Sequence, residues 1–236
     1  MGASPTKEAF VKPVVAAVLG AVLAVPALAG AQSFTDVYHV HFAKAVPGQA
    51  RQLGEELKKP YPTDPMPEHV LVLRHQEGDD WDYCVITHMG TSATVKAGPA
   101  PAAAGALRAV TAWHTDSYVL GPSWPDFAKA MGITDGASSG GSVYIVALWR
   151  ETPGHRDELR GLLDQRANAT SKVPVSHLLL QHAEGGPWAF IALDRYNSWQ
   201  DFATDEAGSV DAEGWAAVRA QSTFHRDTLA DRISQR

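Results

Sequence analysis

The feature that most constrains this chain is an internal repeat. Val37-Tyr38-His39-Val40-His41-Phe42 is followed by Pro47-Gly48, Leu53 and Leu57. The same pattern returns as Val143-Tyr144-Ile145-Val146-Ala147-Leu148, Pro153-Gly154, Leu159 and Leu163, at a constant offset of 106. His75-Gln76-Glu77-Gly78-Asp79-Asp80-Trp81 returns as His182-Ala183-Glu184-Gly185-Gly186-Pro187-Trp188 at offset 107. Trp113-His114-Thr115-Asp116-Ser117 returns as Phe224-His225-Arg226-Asp227-Thr228 at offset 111. Three blocks in one order at nearly constant spacing mark a duplication. Two copies of about 90 residues make a pair of domains rather than a solenoid.

Each copy opens on an alternating, β-branched and aromatic stretch that reads as a strand. Pro-Gly then introduces a helix, with Leu53 and Leu57, or Leu159, Leu162 and Leu163, on one face. Two strands follow, Val70 to His75 with Trp81 to His88, and His177 to His182 with Trp188 to Asp194, each pair joined by a Glu-Gly turn. Gly78 and Gly185 supply the backbone freedom for that turn, with the tryptophans packed beneath it and the His and Glu residues bracing it. A second helix starts at Ser198, whose hydroxyl suits an N-cap, and is weaker over the Ala/Pro-rich Gly98 to Leu107. A last strand carries His-x-Asp. The order β-α-β-β-α-β is the ferredoxin-like unit. The expected organisation is a leader over 1–31, a first repeat over 34–120, a Pro/Gly/Ser-rich linker over 121–142 and a second repeat over 143–232. Inside the linker, Ser123 to Ala128 reads as a short amphipathic helix echoing Ser198 to Ala203.

The leader has a positive start (Lys7, Lys12), an apolar run from Val14 to Val25, then Pro26 and small residues at Ala27, Ala29 and Ala31. That is a secretory signal, with cuts after Ala29 or Ala31. Its run is shorter than the roughly 20 residues of a membrane span. A bacterial periplasmic or secreted protein is expected, without stable membrane insertion after cleavage. The net charge of −6 argues against a nucleic-acid partner. The single cysteine, Cys84, excludes an internal disulfide and any multi-cysteine metal site. Asn168-Ala169-Thr170 is a glycosylation sequon of consequence only in a eukaryotic secretory route. Phosphate-cradling, dinucleotide-binding and nucleophile-elbow motifs are absent.

With these repeats the chain resembles the dimeric α/β-barrel superfamily, which includes antibiotic-biosynthesis-type monooxygenases, stress-responsive barrel proteins and haem-handling relatives. The resemblance covers the whole mature chain as a pattern and transfers no member's catalytic set. It implies an α+β fold: two tandem ferredoxin-like repeats packed sheet to sheet into an intramolecular barrel, a monomeric pseudo-dimer.

Residues alternate faces along a strand. If the helix-covered face is dry, His39 and His41 line the barrel lumen, opposite Tyr38, Val40 and Phe42. Ile145 and Ala147 hold their places in the second copy, so the lumen would be polar on one wall and apolar on the other, a form suited to a small organic ligand. The expected catalytic set is His39, His41, His114 and Asp116, with Tyr83, His88, Ile145, Ala147 and His225 around the pocket. His-x-His on a strand is also a metal-ligand spacing, and His39, His41 and His114 form an alternative metal set. His114 with Asp116, and His225 with Asp227, fit either a carboxylate-oriented imidazole or a structural pair.

Three functions compete. The first is an exported small-molecule-binding protein or enzyme with its pocket in the lumen, of cofactor-independent oxygenase-like chemistry by resemblance. The second is a metal- or haem-binding protein using His39, His41 and His114. The third is a non-catalytic interaction module. No cofactor is favoured by the sequence.

Overall fold

The structure is a computed structural model. It describes residues 32–60, 65–95, 105–133, 141–166, 173, 175–184, 187–208 and 212–234. The leader, the Gly136 to Gly140 run and the sequon at Asn168 lie outside the described residues.

The first repeat contains β1 (Asp36–Ala45), α1 (Ala50–Leu57), β2 (Val70–Glu77), β3 (Tyr83–Thr91), α2 (Gly105–Val110) and β4 (Thr111–Gly121). A helix α3 (Trp124–Ala130) follows. The second repeat contains β5 (Val143–Glu151), α4 (Arg156–Arg166), β6 (Val175–Glu184), β7 (Phe190–Tyr196), α5 (Trp199–Gly208), α6 (Ala212–Ala220) and β8 (Ser222–Arg232). The duplicated Pro-Gly pairs make the turns after β1 and β5. Gly48 (φ 80°) and Gly154 (φ 86°) take left-handed conformations there that side chains with a Cβ resist. Ser198 caps α5 as its sequence predicts, its Oγ accepting the Asp201 N–H at 3.1 Å. α6 was not anticipated: Trp215 and Val218 supply only a thin apolar stripe.

The strands run β1-β3-β2-β8-β5-β7-β6-β4 and close into a barrel. Each repeat contributes a ferredoxin-like sheet. The seams are β2 with β8, where Leu73 faces Arg232, and β4 with β6, where Val119 faces His182. All pairings are antiparallel. Closure matters physically because an open sheet would leave unpaired edges and a bare apolar face.

One buried cluster draws on all eight strands, among them Tyr38, Val40 and Phe42 from β1, Leu71 from β2, Ile86 from β3 and Val119 from β4. Tyr144 and Val146 from β5, Leu180 from β6, Leu193 from β7 and Ala230 from β8 complete it. Only the barrel interior can bring these together. Phe127 and Met131, at the α3 segment, are fully buried in the same cluster and close one end. There the duplicated tyrosines end on carbonyls flanking α3: Tyr38 Oη donates to Pro122 O and Tyr144 Oη to Met131 O, both at 2.8 Å. Trp81 and Trp188 fill the other end, with Trp81 against Phe42. Their imidazole neighbours His75 and His182 brace them, with ring centroids 5.5 and 5.1 Å away.

The lumen is therefore packed with apolar side chains, and the expectation of His39 and His41 lining it is corrected. Both rings project from the opposite, outer face of β1. Outer-face residues make two further clusters. One holds Ala43, Ala45, Tyr83 and Val85 with Leu53 of α1 and Leu107 of α2. The other holds Ile145, Ala147 and Trp149 with Leu159 and Leu163 of α4.

Candidate functional site

His39 and His41 are an alternating pair on β1, and β1 runs antiparallel to β4 with His41 directly opposite Asp116 and Ala43 opposite His114. The register gathers all four polar residues on one patch of the outer face. His41 Nδ1 lies 2.8 Å and His39 Nε2 2.9 Å from Asp116 Oδ1. His114 Nδ1 lies 2.8 Å from Asp116 Oδ2. Three imidazoles thus converge on one carboxylate. The His41 and His114 rings are 5.1 Å apart, and His39 rests 5.3 Å from the Tyr118 ring.

The patch is graded in exposure. His41 is 15% exposed, His39 26%, Asp116 41% and His114 51%. Burial works against the Asp116 charge, but hydrogen bonds from His39 and His41 and their proximity prevail and hold its carboxyl well below the usual carboxylate range. His41 Nε2 is buried without a hydrogen-bond partner. The donor atoms of His41, His114 and Asp116 all lie within 4.8 Å of one another, a spacing at which one cation can bridge them.

The second repeat shows what built this patch. Its register is the same: Ala147 faces Asp227 and Trp149 faces His225. His225 Nε2 keeps a 2.7 Å bond to Asp227 Oδ1. There Ile145 and Ala147 replace the two β1 imidazoles, and Trp149 stacks on His225 with centroids 3.6 Å apart. In the first repeat the residue at the Trp149 position is Ala43, and the space over His114 is not taken by an indole.

Of the expected site residues, His39, His41, His114 and Asp116 are brought together, though outside the barrel. The expected pocket residues are not. Tyr83 lies under α1, its Oη donating to Ala50 O at 2.8 Å. Ile145 and Ala147 are buried beneath the second repeat's helices. His225 is held by Trp149 and Trp215. These four are packing residues because the helix-facing side of each sheet forms its own core.

His88 faces the barrel end, away from the cluster. Its Nε2–H donates to Asp36 Oδ2 at 2.9 Å, and its Nδ1 meets His69 Nδ1 at 3.0 Å. Asp36 Oδ2 also accepts the Trp124 N–H at 3.0 Å, and His69 stacks on the Trp124 ring at 4.4 Å. Burial lowers the pKa of both His69 and His88, against the pull of Asp36 on His88. His69 and Asp36 escaped sequence reading. His69 has no counterpart at the repeat offset, and Asp36 sits just before the repeated block.

No family model and no curated protein sequence matches the chain. Solved structures do match in fold. A proposed monooxygenase from Lactobacillus acidophilus NCFM superposes with a TM-score of 0.55 at 8% identity, covering 84% of this chain and 94% of that one. An anthrone oxidase-like protein gives 0.56 at 14% identity over 86% and 93% of the two chains. A proposed chlorite dismutase gives 0.51 at 10% identity over 85% and 96%. The chain has the dimeric α/β-barrel fold, built here from its own two repeats.

Proposed function

We propose that this protein binds a divalent first-row transition-metal ion through His41, His114 and Asp116 on the outer face of the first repeat, and presents it to small molecules in solution. The observation that carries the reading is the convergence of imidazole nitrogens and a carboxylate within 4.8 Å at a partly exposed patch. Imidazole and carboxylate donors suit zinc, iron, cobalt, nickel or copper better than calcium or magnesium. The second repeat, with the same fold but with Ile145 and Ala147, supplies an internal contrast.

Small-molecule rather than macromolecular ligands are favoured by the fold neighbours described as a monooxygenase and as anthrone oxidase-like. Export belongs to the same proposal and is supported by the leader; the mature chain is then expected to start at residue 30 or 32 on N-terminal sequencing.

The test is calorimetric titration of the full mature chain with Zn(II) and Co(II). A single ion per chain is expected. His114→Ala and Asp116→Ala each weaken binding by at least about 100-fold, as loss of a ligand does, whereas His225→Ala and Asp227→Ala leave it unchanged. Equal loss in both pairs of variants, or no binding in the parent, refutes the site.

A further inference from the structure

The three donors of the proposed metal site all rise from one side of one sheet. His41 and Asp116 are a directly opposed pair on β1 and β4, and His114 is two residues along β4 from Asp116, on the same face. An ion seated on them therefore takes its protein donors from the sheet side, with the more exposed His114 and Asp116 on its open flank. First-row metal–nitrogen bonds of about 2.1 Å put neighbouring donors of an octahedron about 3 Å apart. The two imidazole-to-carboxylate separations, His41 to Oδ1 and His114 to Oδ2, are each 2.8 Å, and the three donors lie within 4.8 Å of one another. An ion that replaces the shared protons draws the two exposed-side donors, His114 and Asp116, inward onto one centre with His41.

A set of two histidines and one carboxylate on one side of an ion leaves the other side for exogenous ligands. This differs from a closed structural site, where protein donors surround the ion. The remaining imidazole, His39, reaches the same carboxylate oxygen as His41, at 2.9 Å. It lies outside the group of mutually adjacent donors. Its geometry is that of a residue that holds Asp116 Oδ1 in place from outside the metal shell. Metal-ligating carboxylates are commonly steadied in this way, and loss of such a partner costs about 10–100-fold in metal affinity.

We infer that the outer-face site is an open two-histidine, one-carboxylate centre that takes small nitrogen- or oxygen-donor ligands directly on the metal, with His39 as a positioning residue for Asp116. This rests on the metal-binding reading above and deepens it. It names the ligand class by chemistry: diatomic molecules and small anions able to enter an open coordination position.

The experiment uses the full mature chain loaded with Co(II) or, without oxygen, with Fe(II). The probes are azide for cobalt and nitric oxide for iron. Azide is expected to shift the visible Co(II) bands, and nitric oxide to give the half-integer-spin resonance of an iron–nitrosyl adduct. His39→Ala is expected to keep the parent's Co(II) band pattern and its azide shift while binding the ion about 10–100-fold more weakly. Co(II) bound with no response to azide, together with Fe(II) giving no nitrosyl signal, overturns the open centre and leaves the metal reading standing. A changed Co(II) band pattern in His39→Ala overturns the positioning role and makes His39 a ligand. Failure of every metal to bind overturns both readings. The probe arms need no variant, so they decide the question even where a substitution disturbs folding.

Discussion

Three residue differences between repeats separate a packed surface from a reactive one. Where the second repeat has Ile145, Ala147 and Trp149, the first has His39, His41 and Ala43. The shared His-x-Asp strand is stacked under an indole in one copy and meets two more imidazoles in the other. Ala43→Trp should bring the indole back over His114, as Trp149 covers His225. The expected outcome is a folded protein whose Co(II) affinity falls at least about tenfold by calorimetry, since over-packing at the outer face displaces His114. The identity of the four cluster residues was legible in the sequence, but their face was not. The helix-covered side is not uniformly dry, since the eight-residue α1 leaves His39 and His114 partly exposed. The bulk of Tyr38, Val40 and Phe42 on the other side of β1 was the better signal, because a barrel interior closed by two sheets admits water less readily than a strand under a short helix. A second residue-scale consequence concerns His69 and His88, whose pKa values are lowered chiefly by burial. Unfolding returns them to about 6.5, so the unfolded chain takes up more protons in the window below that value. Their contribution to stability is complete above pH of about 6.5 and is lost as pH falls through the folded values. Thermal melts should show a midpoint that falls as the pH drops below about 6.5, with a shallower slope in a His69→Asn/His88→Asn double variant.

Among the elements, α3 has the role least visible in its own residues. Its existence was readable: Ser123 is an N-cap, its Oγ 3.4 Å from the Asp126 N–H, and Pro125 sits in the first turn. What the helix closes was not readable, because that depends on a barrel end formed by distant strands. Phe127 stacks on Tyr38 at 4.9 Å, and Met131 is fully buried beside it. Phe127→Ala is expected to lower the unfolding free energy by about 3–5 kcal/mol, the range for removing a buried aromatic ring, measured by urea denaturation. A loss under about 1 kcal/mol would show that α3 merely rests on the barrel. Long-range contact hides another residue in the same way. Gly54 reads as a weak point of α1, yet a Cβ there would sit 2.5 Å from Tyr83 Oη. Helix propensity favours alanine at that position, but Tyr83 is anchored on Ala50 O, so the substitution forces the ring or the helix to shift.

For the whole molecule, the duplication settles closure because each repeat leaves the same two liabilities. One is a sheet face carrying Tyr38, Leu71 and Ile86, or Tyr144, Leu180 and Leu193, which must be covered. The other is a pair of strand edges, β2 and β4 in the first repeat and β8 and β6 in the second. The seams satisfy both at once and join the two similar halves of the sequence into one closed barrel. This is why the repeat offset predicted the architecture well, while the placement of the histidines had to wait for the register across β1 and β4. The consequence is testable by splitting the chain. A polypeptide covering residues 32–133 keeps its local ferredoxin-like pattern but exposes half of the interior and both edges. Alone, it is expected to self-associate or to lack cooperative unfolding, because the apolar face and unpaired edges are a template for another sheet. Co-expressed with residues 141–236, it is expected to elute as a one-to-one complex by size-exclusion chromatography with light scattering. That complex should bind Co(II) as the intact chain does, since β1 and β4 carry every proposed ligand. A monomeric first half that unfolds cooperatively by itself would mean that the lumen cluster is not what holds the repeats in shape.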